Sequence, residues 1–218
     1  ARGTKRESRE TLMGRIGRGV SSVAEERAEA VVRGRTEGME AGAGGRLWDV
    51  VPGADTNRTG VTFVGGPEPV AEAAFRAVSR AAELIDMRQH AGAHPRFGAT
   101  DVVPFVPVSG VTMEDCAELA RAVGERIGTE LGIPVYLYEN AASSPERSSL
   151  SRVRAGEYEG LAARLADPLW APDFGPAEFN AQAGATAVGG PGQPRWAGSR
   201  PGGAGARVPG PAFSVGAG

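Results

Sequence analysis

Apolar residues at positions 70, 73, 74, 77, 78, 81, 84 and 85 recur every three to four residues, which predicts a helix over 68–87. A second helix is predicted from a cap at Thr112, with Asp115 three residues on, to about Leu131, where Gly132 stops it. Short apolar runs at 46–51, 60–64, 102–108 and 133–138 read as strands, punctuated by Pro52-Gly53 and Gly65-Gly66-Pro67. Pro104 and Pro107 withhold ladder N–H groups from the third run, which places it at a sheet edge or gives it a bulge. Residues 145–154 and 158–165 read as short helices or turns, and 171–188 as a long loop entering a last strand. The order β-β-α-β-α-β implies an α+β chain, ferredoxin-like, with an open sheet and helices on one face. Ser21 or Ser22 would cap a further, weakly packed helix over 23–35, with Glu25 placed for a capping box with Ser22.

Charge divides the chain into three. Residues 1–45 carry a net +2, residues 46–188 a net −7, and residues 189–218 a net +3. The last thirty residues hold ten glycines and five prolines, a composition that buries too little apolar surface to offset the entropy of ordering it. The expected organisation is therefore an atypical, partly helical N-terminal extension at 1–45, a folded domain at 46–188, and a disordered Gly/Pro-rich tail at 189–218. The overall charge of −2 and pI near 5.8 argue against a general nucleic-acid binder. No apolar run reaches the roughly 18 residues of a membrane helix. Cys116 is the only cysteine, so no internal disulfide forms; a reducing compartment, and with it a cytoplasmic location, is expected. Only Lys5 is a lysine among the 24 basic residues, which with 33 glycines points to a GC-rich genome rather than to a functional arginine cluster. No GxGxxG or Walker loop follows a strand, so a nucleotide-binding fold has little support.

Residues 88–101 (RQHAGAHPRFGATD) hold both histidines of the chain in a Gly- and Pro-bearing loop. Long loops of this kind are often functional. An imidazole near neutral pKa can move protons, and arginines can hold carboxylates. The bland alternative is a surface loop with two solvated histidines. A metal reading would use His90, His94 and Asp101, but ligands four apart share a face only on a helix, and Gly92 and Pro95 oppose one there; no metal is expected. Asp55-Thr56-Asn57 reads as turn chemistry, Tyr136 and Tyr138 as half-buried packing residues with hydroxyls reaching solvent, and Cys116 as an inert thiol. Residues 170–176 (WAPDFGP) read either as a linker covering the core or as a wall for a flat ligand.

The stretches TNRTGVTFVG, ELIDMRQHAGAHPRFGATDVVPFVPVSGVTMEDC, ELGIPVYLYENAA, RAGEYEGLAARL and WAPDFGPAEFNAQAGATAVG resemble the N-terminal subdomain of glutamate formimidoyltransferase, also the first part of formimidoyltransferase-cyclodeaminase. The resemblance runs from about residue 47 to 189. It implies transfer of the formimino group of N-formimino-L-glutamate to N5 of tetrahydrofolate, in histidine degradation and one-carbon folate metabolism. It implies His94 as the catalytic residue, His90 being less favoured. It also implies a folate-binding segment of Gly175, Pro176, Ala177, Glu178, Phe179, Asn180, Ala181, Gln182, Ala183 and Gly184. Arg58 and Arg96 are candidate holders of substrate carboxylates on chemical grounds. Phe174 or Phe179 would stack on the pteridine, with Gly175 and Gly184 admitting backbone amides to it.

Several positions depart from the family pattern. Nothing in residues 1–45 matches its opening strand, so an unpaired sheet edge is expected. Ala93 precedes His94 where an acid is often found, and Val51 stands at another acid position, although Asp49 is kept. The second subdomain is not in these residues, so an open, shallow folate cleft and impaired turnover are expected unless two chains pair as a homodimer. The alternative is a non-catalytic folate- or partner-binding module derived from the family.

Overall fold

The structure, a computed structural model, describes residues 16–24, 45–53, 58–89 and 96–190. Helix α1 (Pro67–Leu84) starts on a proline, whose missing N–H belongs to a first turn that has no intrahelical partner anyway. Val70, Ala73, Ala74, Ala77, Val78 and Ala81 are its buried stripe, as the periodicity predicts. Helix α2 (Met113–Leu131) is set by local chemistry at both ends. Thr112 accepts from the Asp115 N–H at 3.1 Å while the Asp115 carboxylate accepts from the Thr112 N–H at 2.8 Å, and Gly132 closes the helix at φ 64°, ψ 31°. Two short helices follow, α3 (Leu150–Val153) and α4 (Leu161–Leu165).

Six strands form one sheet: β1 (Ile16–Ala24), β2 (Gly45–Gly53), β3 (Arg58–Gly65), β4 (Val102–Ser109), β5 (Val135–Glu139) and β6 (Thr186–Gly190), in the spatial order β2-β3-β1-β4-β6-β5. The pairs β2–β3, β3–β1 and β1–β4 are antiparallel; β6 runs parallel to both β4 and β5. Strand faces alternate as the pleat requires. Val103, Phe105, Val135, Leu137 and Val188 meet Val70, Ala74 and Val78 of α1 and Ala117, Ala120, Val123 and Ile127 of α2 in the main core. Val102, Tyr136, Tyr138 and Ala187 point the other way, under Val153 of α3 and Leu161 and Leu165 of α4. The architecture is the expected α+β open sheet with its long helices on one face. Among the described residues no helix is long and apolar enough to cross a membrane.

The structure corrects several of these expectations. The helix expected to begin at Ser21 or Ser22 is absent at residues 21–24: Ser21 pairs with Val61, Ser22 with Gly60, Val23 with Thr59 and Ala24 with Arg58. Without β1, the inner edges of β3 and β4 would face each other unpaired, and that long-range demand overrides a local capping signal. The expected unpaired edge is thus filled from within residues 1–45, whose remaining helical expectation lies outside the described residues. β4 lies in the sheet interior and carries the bulge, the second of the two placements expected for its prolines: Gly17 pairs with Pro107 and Ile16 with Ser109, leaving Val108 extra. Its prolines are tolerated because it serves two neighbours with different halves, 102–104 to β6 and 105–109 to β1. Tyr136 and Tyr138 are buried rather than half-buried, since α3 and α4 cover that face; the Tyr136 hydroxyl donates to the Trp170 carbonyl at 2.8 Å. Finally, β6 extends to Gly190, two residues into the expected tail; residues 191–218 lie outside the described residues.

Residues 170–174 are a strap over the outer edge of β5. The Val135 N–H donates to the Phe174 carbonyl at 2.9 Å and the Asp173 N–H to the Val135 carbonyl at 2.8 Å. The Asp173 carboxylate accepts from the Leu137 N–H at 2.7 Å and pairs with the buried Arg147 at 2.5 Å. Phe174, partly buried, packs against the main core beside Gly124 and Gly128 of α2, so the strap covers the core there.

Candidate functional site

Residues 90–95, with His90 and His94, lie outside the described residues, but both flanks of that loop are in place. The Met87 N–H donates to the Gln182 carbonyl at 2.9 Å, and Gln182 in turn donates from its side chain to the Ala82 carbonyl at 3.0 Å. On the outgoing side, the Ala99 N–H donates to the Ala183 carbonyl at 2.8 Å and the Ala185 N–H to the Phe97 carbonyl at 3.1 Å. Both ends of the histidine loop are therefore fastened to one short stretch, 182–185, where β4 and β6 begin.

Glycine makes that approach feasible. A side chain on Gly98 would overlap the carbonyls of Ala183 and Ala185, and one on Gly184 would overlap the Phe97 carbonyl. Gly184 also has φ 68°, a left-handed conformation that side chains disfavour. Gly175 similarly lies against the Ile133 carbonyl at φ 83°. The closeness these two glycines permit here is to the chain's own backbone.

The 175–184 segment divides by exposure. Ala183 and Gly184 are buried; Asn180 is committed to the turn, its side chain accepting from the Ala183 N–H at 2.9 Å and its carbonyl from the Gly184 N–H at 2.7 Å. Gly175, Pro176, Ala177, Glu178, Phe179 and Gln182 face outward. Phe179 is 39% exposed and tilts against Tyr158, with ring centroids 5.3 Å apart at 51°.

Tyr158 and Glu159 were not singled out as site residues from the sequence. The Tyr158 N–H donates to the Arg96 carbonyl at 2.7 Å, and its ring lies under the Arg96 guanidinium at 5.4 Å. Arg96 also pairs with Glu159 and is only 17% exposed. Burial pushes the Glu159 carboxyl up, but the hydrogen bond and charge of Arg96 outweigh this and leave it below the ordinary glutamate range. Arg96 is thus already engaged by its own chain. Arg88, 60% exposed, is held in a fork by Asp86 at 2.8 and 2.7 Å. Arg58 is described only along its backbone, and 54–57 lie outside the described residues. Asp101 is fully buried and accepts from Arg154 at 2.5 Å. No group of three or more metal-ligating side chains occurs among the described residues.

These features define an α+β domain whose candidate site is built on loops at one end of an open sheet. Residues 18–191 match the formiminotransferase domain, N-terminal subdomain, and the chain belongs to that family. The match takes in most of β1. The chain is 43% identical over 177 residues to glutamate formimidoyltransferase of Streptococcus pyogenes serotype M1, covering 81% of this chain and 59% of that protein. It is 47% identical over 146 residues to glutamate formimidoyltransferase of Thermoplasma acidophilum, covering 66% and 48%. It is 53% identical over 143 residues to formimidoyltransferase-cyclodeaminase of Rattus norvegicus, covering 66% and 26%. The chain thus spans between a quarter and three-fifths of the length of these relatives.

Proposed function

We propose that this chain carries one half of a formimino-transfer site that passes the formimino group of N-formimino-L-glutamate to N5 of tetrahydrofolate. The observation that supports this reading is that both described flanks of the histidine loop, at Met87 and at Phe97 and Ala99, are fastened to 182–185, at the end of the 175–184 segment. Tetrahydrofolate enters as the acceptor, its flat ring against Phe179, whose exposed aromatic face suits a pteridine. In the reaction N5 attacks the formimino carbon and a tetrahedral intermediate forms. N5 then gives up its proton, the glutamate nitrogen gains one, and the carbon–nitrogen bond to glutamate breaks. His94 takes the first proton and supplies the second, so the exchange balances without another acid or base.

The test is formimino transfer by the full chain with both substrates, beside a tetrahydrofolate titration. His94→Ala is expected to lower kcat by about 10²–10⁴-fold while leaving folate affinity within about twofold. Turnover that survives the substitution would remove His94 from the mechanism. Folate binding with no His94-dependent turnover would favour the binding-module alternative.

A further inference from the structure

We propose that residues 170–174 are a guard on the outer edge of β5, separable from the strand, and that the guard keeps off β5 of a second copy of this chain. The two end strands of the sheet are β2 and β5. β2 carries devices that spoil an edge: Pro52, and a break in register between Leu47 and Asp49. β5 has neither. Its residues, VYLYE, include no proline, lysine or arginine, and they run in unbroken register along β6 from Val135 to Glu139. The pleat turns the N–H groups of Tyr136 and Tyr138 toward β6 and those of Val135 and Leu137 outward. The strap meets both outward donors. The Val135 N–H donates to the Phe174 carbonyl at 2.9 Å, and the Leu137 N–H to the Asp173 carboxylate at 2.7 Å. Asp173 thus stands where the carbonyl of a neighbouring strand would. Arg147 secures it, pairing with the carboxylate at 2.5 Å and donating to the Ala171 carbonyl.

The chemistry of the edge beneath the strap selects its occupant. Both faces of β5 are already covered, Val135 and Leu137 in the main core and Tyr136 and Tyr138 under α3 and α4. Only backbone groups would be on offer, and an extended strand is what such groups bind. A second β5, antiparallel across a two-fold axis, brings the same donors and acceptors in complementary order and closes the pair at two copies. The strap is the weaker attachment of the two that β5 makes. It bonds at Val135 and Leu137 alone, against a five-residue ladder to β6, so it leaves while the strand stays.

The test compares full-chain variants by sedimentation and hydrogen exchange. Asp173→Ala removes the acceptor for Leu137 and the anchor on Arg147, and should add a species of twice the parent's mass as concentration rises. At low concentration its Val135 and Leu137 amides should exchange about tenfold faster than in the parent, then regain protection as the larger species forms. Asp173→Asn keeps an oxygen for the Leu137 N–H and should stay at the parent's mass. The double variant Arg147→Met with Asp173→Leu removes the acceptor without stranding the guanidinium, and gives the same reading as Asp173→Ala if that variant does not fold. An acceptor-free variant that stays at the parent's mass while Leu137 exchanges freely would overturn the proposal. Association that leaves Val135 and Leu137 unprotected would overturn it too, as would equal association of Asp173→Asn, which assigns the effect to the lost ion pair. In the parent chain itself, the Val135 and Leu137 amides should exchange about tenfold faster than those of Tyr136 and Tyr138. Equal rates there would show that the strap does not separate from the strand, and the proposal would fail.

Discussion

Glu139 ends β5 with φ 53°, a left-handed conformation that residues other than glycine seldom adopt. It is also partly buried, and burial pushes its carboxyl above the ordinary glutamate value. The folded chain therefore holds a proton at a pH where an unfolded glutamate has already lost it. Over that interval stability falls as pH rises, and above the folded pKa the loss is complete. Glu139→Gln should match the parent chain near pH 4 and exceed it at pH 7, measured as the difference in urea midpoint at the two pH values. A difference independent of pH would mean that the carboxyl's charge is not the cause. The same cause acts on Cys116: burial first, then Asp115, push its thiol up to about 11. The reading of an inert thiol from a single cysteine in an amphipathic helix agrees with that environment.

Helix α2 shows how completely a local signal can determine an element. Thr112 and Asp115 satisfy each other's backbone donors at the start, and Gly132 stops the helix at the end. Thr112→Ala should cost about 1 kcal/mol in equilibrium unfolding, with the structure otherwise retained. A loss below a few tenths would show that packing against α1 and the sheet holds the helix start without its cap. β1 is the opposite case. Its residues include a plausible cap and precede a Glu- and Ala-rich stretch, and yet 16–24 form a strand because two other strands lack a partner between them. Elements whose stop and start are written in neighbouring residues were legible; this one depends on strands some 40 and 85 residues away.

At the scale of the whole molecule, a buried ion pair joins the strap to the turn at Pro145–Arg147 that follows β5. Arg147 and Asp173 are each under a tenth exposed, and Asp173 also receives the Leu137 N–H. Asp173→Ala would strand the Arg147 guanidinium and free that N–H, at a cost of about 3–5 kcal/mol. The double substitution Arg147→Met with Asp173→Leu should recover much of the loss, since no unpaired charge remains. A single variant as stable as its parent would show that the strap is held by Phe174 and its backbone bonds to Val135 alone. This pair joins residues 26 apart through a carboxylate in a run that reads from sequence only as a Pro-rich loop.

The sequence by itself determined the two long helices and five of the six strands as apolar runs between turn residues, while the histidine-bearing and GPAEFNAQAG segments stand as the candidate site through the resemblance to the family. Those features depend on period, caps and motifs within a few residues of one another. Only the tertiary structure decided that β1 and β6 fill the sheet interior, that Phe174 belongs to the core while Phe179 faces outward, and that the glycines serve close approach within the chain. It alone brought Met87, Phe97 and Ala99 onto 182–185 and Tyr158 between them. These are contacts between residues some 20 to 95 apart, and which of many apolar or polar side chains meet across such separations is settled by packing and backbone hydrogen bonding, not by neighbours in the chain.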